Sequence, residues 1–251
     1  IGIPGSFISS VDTPVFVFNV SESGVAGASS HEVGHSLGLD HDGTSSEEYY
    51  DGHGSGATGW TPIMGAGFKQ LEQWSKGEYP DANNTEDDLN VIVTLNSFDY
   101  RADDHGSTSG SADSLGVTGD TVVFDEGIIE RNTDLDYFVF ITGTGTINLD
   151  IDPFYRSPNL DILATLYNAS GSPISTSNPA NSLDARFSLS LDAGTYYISV
   201  EGTGKPAGND AGYSDYGSLG YYSISGTIIT PPTYVTVNIV DDSLNDADNI
   251  S

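Results

Sequence analysis

Cysteine is absent from these 251 residues. No disulfide can form, so stability has to come from packing, backbone hydrogen bonds or bound ions. Cationic residues are scarce as well: 7 Lys and Arg stand against 36 Asp and Glu, a formal charge of −29. Nucleic acid and anionic membranes both need a cationic face, so neither is an expected partner. A charge of this size repels itself in the folded state. Bound cations relieve it, and calcium, with its six to eight oxygen ligands, is the expected structural ion; solubility in salty water is the other reading. No apolar run reaches the roughly 20 residues of a membrane-crossing helix, so no membrane insertion is expected. No signal peptide is present. The first residue is Ile1 and the next few look like mid-domain sequence, so the chain is expected to be a piece of a longer secreted or cell-surface protein. Histidine occurs five times and methionine once. A pattern built from residues this rare carries weight.

Such a pattern exists. His31-Glu32-Val33-Gly34-His35-Ser36-Leu37-Gly38-Leu39-Asp40-His41-Asp42 reads H-E-x-x-H-x-x-G-x-x-H followed by Asp. On a helix, His31 and His35 share a face and can point at one metal ion. Glu32 lies about 100° round the axis, placed to reach a metal-bound water rather than the metal. Gly38 allows the helix to end in a tight conformation, and the chain can return to deliver His41 as third ligand. Three neutral nitrogens with one open position describe a catalytic zinc site, with Glu32 as general base.

Thr61-Pro62-Ile63-Met64-Gly65 lies downstream and holds the sole methionine. Together with the histidine motif it resembles the Met-turn of the metzincin metalloproteases. Asp42, directly after the third His, resembles the reprolysin-like branch. That resemblance implies a structural Asp42 near the Met-turn and Met64 as a rigid floor. Ala66 stands where astacin-like and serralysin-like members carry a Tyr ligand. The function so implied is a secreted zinc endopeptidase acting on protein or peptide substrates. One departure counts against it: only 30 residues precede His31, where metzincins place several strands and a helix.

Pro14–Asn19 reads as a strand, either the edge on which substrate pairs or an ordinary sheet edge. Ser21 or Ser23 caps a helix over Gly24–Leu37. Residues 42–60 form a loop in which His53 is expected to be solvated. Trp60 and Phe68 flank the Met-turn, as pocket wall or as core. Phe68–Trp74 reads as the start of a helix. Thr85, with Asp88 three residues on, caps another, which Val91–Val93 either extends or leaves as a strand. Residues 101–114 shift to Asp, Gly and Ser and mark a junction, with His105 exposed.

Beyond it, short strands alternate with turns: Thr121–Phe124, Tyr137–Thr142, Thr146–Ile151, Ile162–Tyr167, Arg186–Leu191, Thr195–Glu201 and Tyr221–Ile228. These predict a β-sandwich. Thr133–Phe138, Asn159–Ile162, Ala193–Tyr197 and Tyr213–Ser218 resemble bacterial pre-peptidase C-terminal domains, small sandwiches attached to secreted peptidases. The chain is thus read as α+β, in three parts. Residues 1–100 are a partial metzincin with zinc helix, Met-turn and C-terminal helices. Residues 101–229 are the all-β sandwich. Residues 230–251 are a linker and the start of an Ig-like repeat, or a tail. Asp134 with Asp136, and Asn159 with Asp161, are candidate calcium ligands or solvated turn acids. Some members of the resembled family bind calcium, and some bind fibrous substrates. Extracellular matrix or cell-surface ligands are therefore candidate partners of the sandwich; tyrosines 213, 216, 221 and 222 are either such a binding surface or sandwich core and rim. The competing function is a calcium-binding surface adhesin in which the metzincin remnant is inert.

Overall fold

A computed structural model describes residues 7, 14–19, 21–67, 69–119, 121–208 and 211–231. Phe68 and the expected Ig-like start beyond 231 lie outside them. The fold is α+β and dominated by sheets, with two α-helices among the described residues.

Helix α1 spans Glu22–Leu37. Ser21 caps it, its side chain accepting the Gly24 N–H at 3.2 Å. Glu22 in the first turn and His35 in the last complement the helix dipole. Gly38, at φ +103°, ends the helix, and its N–H bonds back to His35. Only Gly34, Ser36 and Leu37 of α1 are buried. The expected strand before it does not form: residues 14–19 carry no sheet pairing, and Phe18 is 86% exposed. A β-branched and aromatic run is a weak preference, which the surrounding structure overrides here.

Two short parallel strands follow, β1 (Trp60–Pro62) and β2 (Leu71–Gln73). The helix expected over Phe68–Trp74 is therefore a strand instead: Leu71 and Gln73 point inward together, and Trp60 pairs with Leu71. Helix α2 spans Asp88–Asn96, so Val91–Val93 are helical. Its cap is Asp87, whose carboxylate accepts the Asn90 N–H at 2.9 Å, and not Thr85.

The rest is a sandwich of two five-stranded sheets. One contains β4 (Val117–Thr118), β5 (Val122–Ile129), β7 (Gly145–Pro153), β10 (Ala185–Leu191) and β12 (Gly220–Thr227), ordered β10-β7-β12-β5-β4. The other contains β3 (Asp113–Ser114), β6 (Asp136–Thr142), β8 (Ile162–Asn168), β9 (Pro173–Ser177) and β11 (Gly194–Gly202), ordered β3-β6-β11-β8-β9. Strands β3, β4 and β9 were not expected; they are short, exposed edge strands with weak patterning. Alternate residues meet in one core. Ile147, Leu149 and Ile151 of β7 face Phe138 and Phe140 of β6 and Ile198 of β11, while Asn148 and Asp150 point outward.

A seam joins the sandwich to the histidine-bearing segment. Trp60 stacks parallel to Tyr213, and both are buried with Leu71, Tyr79 and Leu183. The Gln73 amide donates to Asn159 O at 2.5 Å and accepts the Trp60 indole N–H at 2.8 Å. The Tyr216 hydroxyl donates to Asp87 and accepts the Leu89 N–H, both at 2.8 Å. Tyr213, Tyr216 and Tyr222 are thus buried. His53, expected to be solvated, is half-buried and bridges the Tyr50 hydroxyl and Gly212 O, at 2.9 and 2.6 Å.

A candidate metal centre and an acidic cluster

His31, His35 and His41 converge, with ligand nitrogens within 4.8 Å of one another. Helix α1 supplies the first two and the turn after Gly38 the third. Each Nδ1 is already engaged: His31 with Ile63 O at 2.8 Å, His35 with Leu39 O at 2.9 Å, and His41 with Glu48 Oε1 at 3.1 Å. Those acceptors make each Nδ1 the protonated nitrogen and leave each Nε2 a bare lone pair. The Nε2 atoms of His35 and His41 then face each other at 2.8 Å. Two lone pairs at that distance repel unless a proton or a cation lies between them. Burial, the largest effect, and the neighbouring imidazoles pull the His31 pKa down, which favours the neutral ligand form. The donor set therefore fits a divalent ion of the zinc type.

Met64 lies beneath, fully buried with Leu39 and Ile63. A Cβ at Gly34 would collide with its sulfur, so the glycine is what lets α1 sit on the turn. Asp42 anchors this floor. Its N–H donates to Met64 O at 2.9 Å, and its carboxylate accepts from the Tyr79 hydroxyl at 3.4 Å. Burial raises the Asp42 pKa to about 7. Glu32 lines a cavity of about 890 Å³ that opens beside His31 and under Tyr49. Tyr49 also lies over His41, with ring centroids 4.3 Å apart.

A second set of carboxylates gathers where the 101–114 segment meets β5 and β6. Oxygens of Asp103, Glu130 and Asp134 lie within 4.8 Å of one another, and so do those of Asp103, Asp104 and Asp136. Glu130 Oε1 and Asp136 Oδ1 are buried with no hydrogen-bond partner. The other Asp136 oxygen accepts from the buried Tyr222 hydroxyl at 2.6 Å. Burial raises Glu130 to about 8 and Asp136 to about 7. Buried orphan oxygens among like charges suit a hard cation, and this arrangement could hold calcium. Asp134 and Asp136 are thus brought together. Asn159 and Asp161 are not part of that group: Asn159 donates to Glu72 O at 2.6 Å, and Asp161 accepts from the Tyr213 hydroxyl at 2.7 Å. Asp103, Asp104 and Glu130 escaped the sequence reading because they come from distant positions. The run Asp103-Asp104 and the acid ending the apolar Ile128-Ile129 pair were the available signals. His105, expected to be exposed, keeps 15% of its side chain accessible and binds Asp113 and Glu126 O.

No family model matches the chain, and no curated protein matches it. Among solved structures it is similar to the pre-peptidase C-terminal domain of a collagenase from Bacillus anthracis, at 15% identity and TM-score 0.34, over 51% of this chain and 99% of that one. It is also similar to PliG, a periplasmic inhibitor of g-type lysozyme from Aeromonas hydrophila, at 12% identity and TM-score 0.31, over 47% and 96%. A family 35 carbohydrate-binding module from an environmental isolate matches at 14% identity and TM-score 0.23, over 53% and 87%. The likeness to a pre-peptidase C-terminal domain is thus distant and partial.

These findings correct the endopeptidase expectation, and with it the reading of the chain as a hydrolase or protease. No family model matches the chain, that of a protease included. The physical reason lies in α1. Hydrolysis needs the peptide held in register beside the metal, and residues 14–19, read either as that pairing edge or as an ordinary sheet edge, form no strand. The ligands converge, but outside the sandwich the described residues form only the pair β1 and β2, three residues in each strand.

Proposed function

We propose that this chain is a metal-carrying binding segment of a secreted or surface-exposed, adhesin-like protein. The β-sandwich presents ligand-binding surface, and the histidine unit is docked on it. The observation that carries the reading is the trio of imidazoles whose Nδ1 atoms are all committed, so that three Nε2 atoms face one point. His31, His35 and His41 hold zinc, and Glu32 stands beside the open position as a further carboxylate. Gly34, Gly38, Asp42 and Met64 shape the floor. Calcium is held at the start of β6 by Asp134 and Asp136 with Asp103, Asp104 and Glu130. When bound, these ions supply cross-links that a chain without cysteine lacks, and a Lewis-acid position open to a partner's donor atom.

Protein or cell-surface ligands are the partners this reading favours. The place of such a segment is extracellular, in keeping with the named periplasmic inhibitor and collagenase domain among its structural neighbours. Among the described residues no helix is long and apolar enough to cross a membrane. Equilibrium dialysis with elemental analysis tests the proposal. One zinc per chain is expected, lost in the double variant H35A/H41A. Calcium should bind separately and be lost in E130Q/D136N. A chain that takes up neither ion overturns the reading.

A further inference from the structure

Beside the histidine cluster, the cavity of about 890 Å³ is strongly one-sided in charge. Glu32, Glu47, Glu48, Asp51 and Glu72 line it, against Lys69, and Lys69 itself donates to Gly54 O. Glu72 differs from the other four. It projects from β2 against α1, and a Cβ built at Gly27 would lie 2.6 Å from its Oε2. Glycine at position 27 is therefore what gives this carboxylate its place. Its pKa is raised to about 7 by burial alone, and its carboxylate makes no hydrogen bond with a described residue. A half-buried acid without a partner, beside an open cavity, lacks a counter-charge.

Its position sets the size of what could supply one. Gly27, against which Glu72 lies, and His31 are four residues apart on one face of α1, about 6 Å along the axis. An extended arginine or lysine side chain carries its charge over a similar length. We infer that this cavity captures the C-terminal arginine or lysine of a partner polypeptide, with the terminal carboxylate on the metal and the basic side chain on Glu72. The inference rests on the zinc reading above. The head of the ligand uses the ion's open position, and the tail uses a charge that nothing else in the described fold employs. A carboxylate alone would meet a wall of five acids against one lysine, so the cation is what makes entry favourable. An apolar terminal residue would leave Glu72 buried and unpaired.

Three probes separate the parts of this inference on the zinc-loaded full chain: Gly-Gly-Arg, Gly-Gly-Leu and the amide-capped Gly-Gly-Arg. Calorimetry should find Gly-Gly-Arg at least tenfold tighter than either of the others. Glu72→Gln should abolish the preference for arginine over leucine while leaving zinc stoichiometry unchanged. Glu47→Gln, which removes a charge from the same wall, should keep the preference. Gly27→Ala, which displaces the Glu72 carboxylate from the opposite side, should weaken it without touching β2. Equal affinity for the arginine and leucine peptides, or a preference that survives Glu72→Gln, overturns the inference and leaves the metal site standing. A wild-type chain that holds no zinc overturns the metal reading itself, and is seen before any peptide is added.

Discussion

Glu48 does for His41 what two backbone carbonyls do for His31 and His35. It is the one side-chain acceptor of the three, and 70% of that side chain is exposed. Carboxylate partners of metal-bound imidazoles orient the ring and raise its basicity, and their loss typically costs 10–100-fold in affinity. Glu48→Ala should therefore weaken zinc binding by about that factor in a chelator competition, with Glu48→Gln in between because its amide oxygen still accepts. Gly34→Ala is a different kind of residue-scale change. Its methyl group would meet the Met64 sulfur in a fully packed floor, and overpacking of this sort costs about 1–3 kcal/mol. Urea denaturation should show that loss directly. The histidines and Met64 were legible in the sequence because both types are rare and their spacing is chemical. Glu48 and Glu72 were not, because one acid among 36 carries no signal until a fold brings it to a partner.

Helices here are defined by their ends. Ser21 and Gly38 delimit α1; Gly38 was readable as its end and Ser21 as one of two caps, with Ser23, since capping chemistry is local. Asp87 serves two elements at once. It caps α2 through the Asn90 N–H and accepts the Tyr216 hydroxyl across the seam. Removing it costs a cap, about 1 kcal/mol, and a charge-assisted hydrogen bond of about 1.5–3 kcal/mol. Asp87→Ala should accordingly lower stability by roughly 2–4 kcal/mol, while Asp87→Asn, which keeps an acceptor for both, should lose much less. Equal losses for the two variants in chemical denaturation would show that the carboxylate's hydrogen bonds are not what matters. The strands of the sandwich core were legible from alternation, and their observed limits lie within two residues of those read from sequence except for β5, which runs five residues past Phe124 to Ile129. The segment Phe68–Trp74 was not, because three strand residues are too few for a period to declare itself.

Across the whole molecule, buried acids dominate the response to pH. Burial raises Asp161 to about 6, Asp42 and Asp136 to about 7, and Asp88 and Glu130 to about 8. A carboxyl whose pKa is higher folded than unfolded binds its proton more tightly in the native state. Its contribution is complete below the unfolded value of about 3.9–4.3 and is lost as pH rises through 6 to 8. The metal-free chain should therefore unfold at lower urea at pH 8 than at pH 5, and the charge of −29 acts in the same direction. Asp88→Asn keeps an acceptor for the Ser75 N–H and should flatten part of that slope. Calcium should reverse the trend. In the proposed calcium site the ionised Glu130 and Asp136 would be ligands at pH 8 rather than liabilities, so millimolar calcium should raise the melting temperature there, and more than it does at pH 5. An identical calcium shift at both pH values would remove Glu130 and Asp136 from the site.

The sequence by itself determined whatever depends on neighbours along the chain. The spacing of His31, His35 and His41, the caps of α1, and the alternation that marks the sandwich strands are set by helical and strand periods, which act over a few residues. Tertiary structure alone decided the rest. It gathered Asp103, Asp104, Glu130, Asp134 and Asp136 from three segments, set Glu72 against Gly27, and gave residues 14–19 a conformation other than strand. Those outcomes turn on which surfaces find a partner in space, and backbone pairing and charge burial are settled only when distant segments meet.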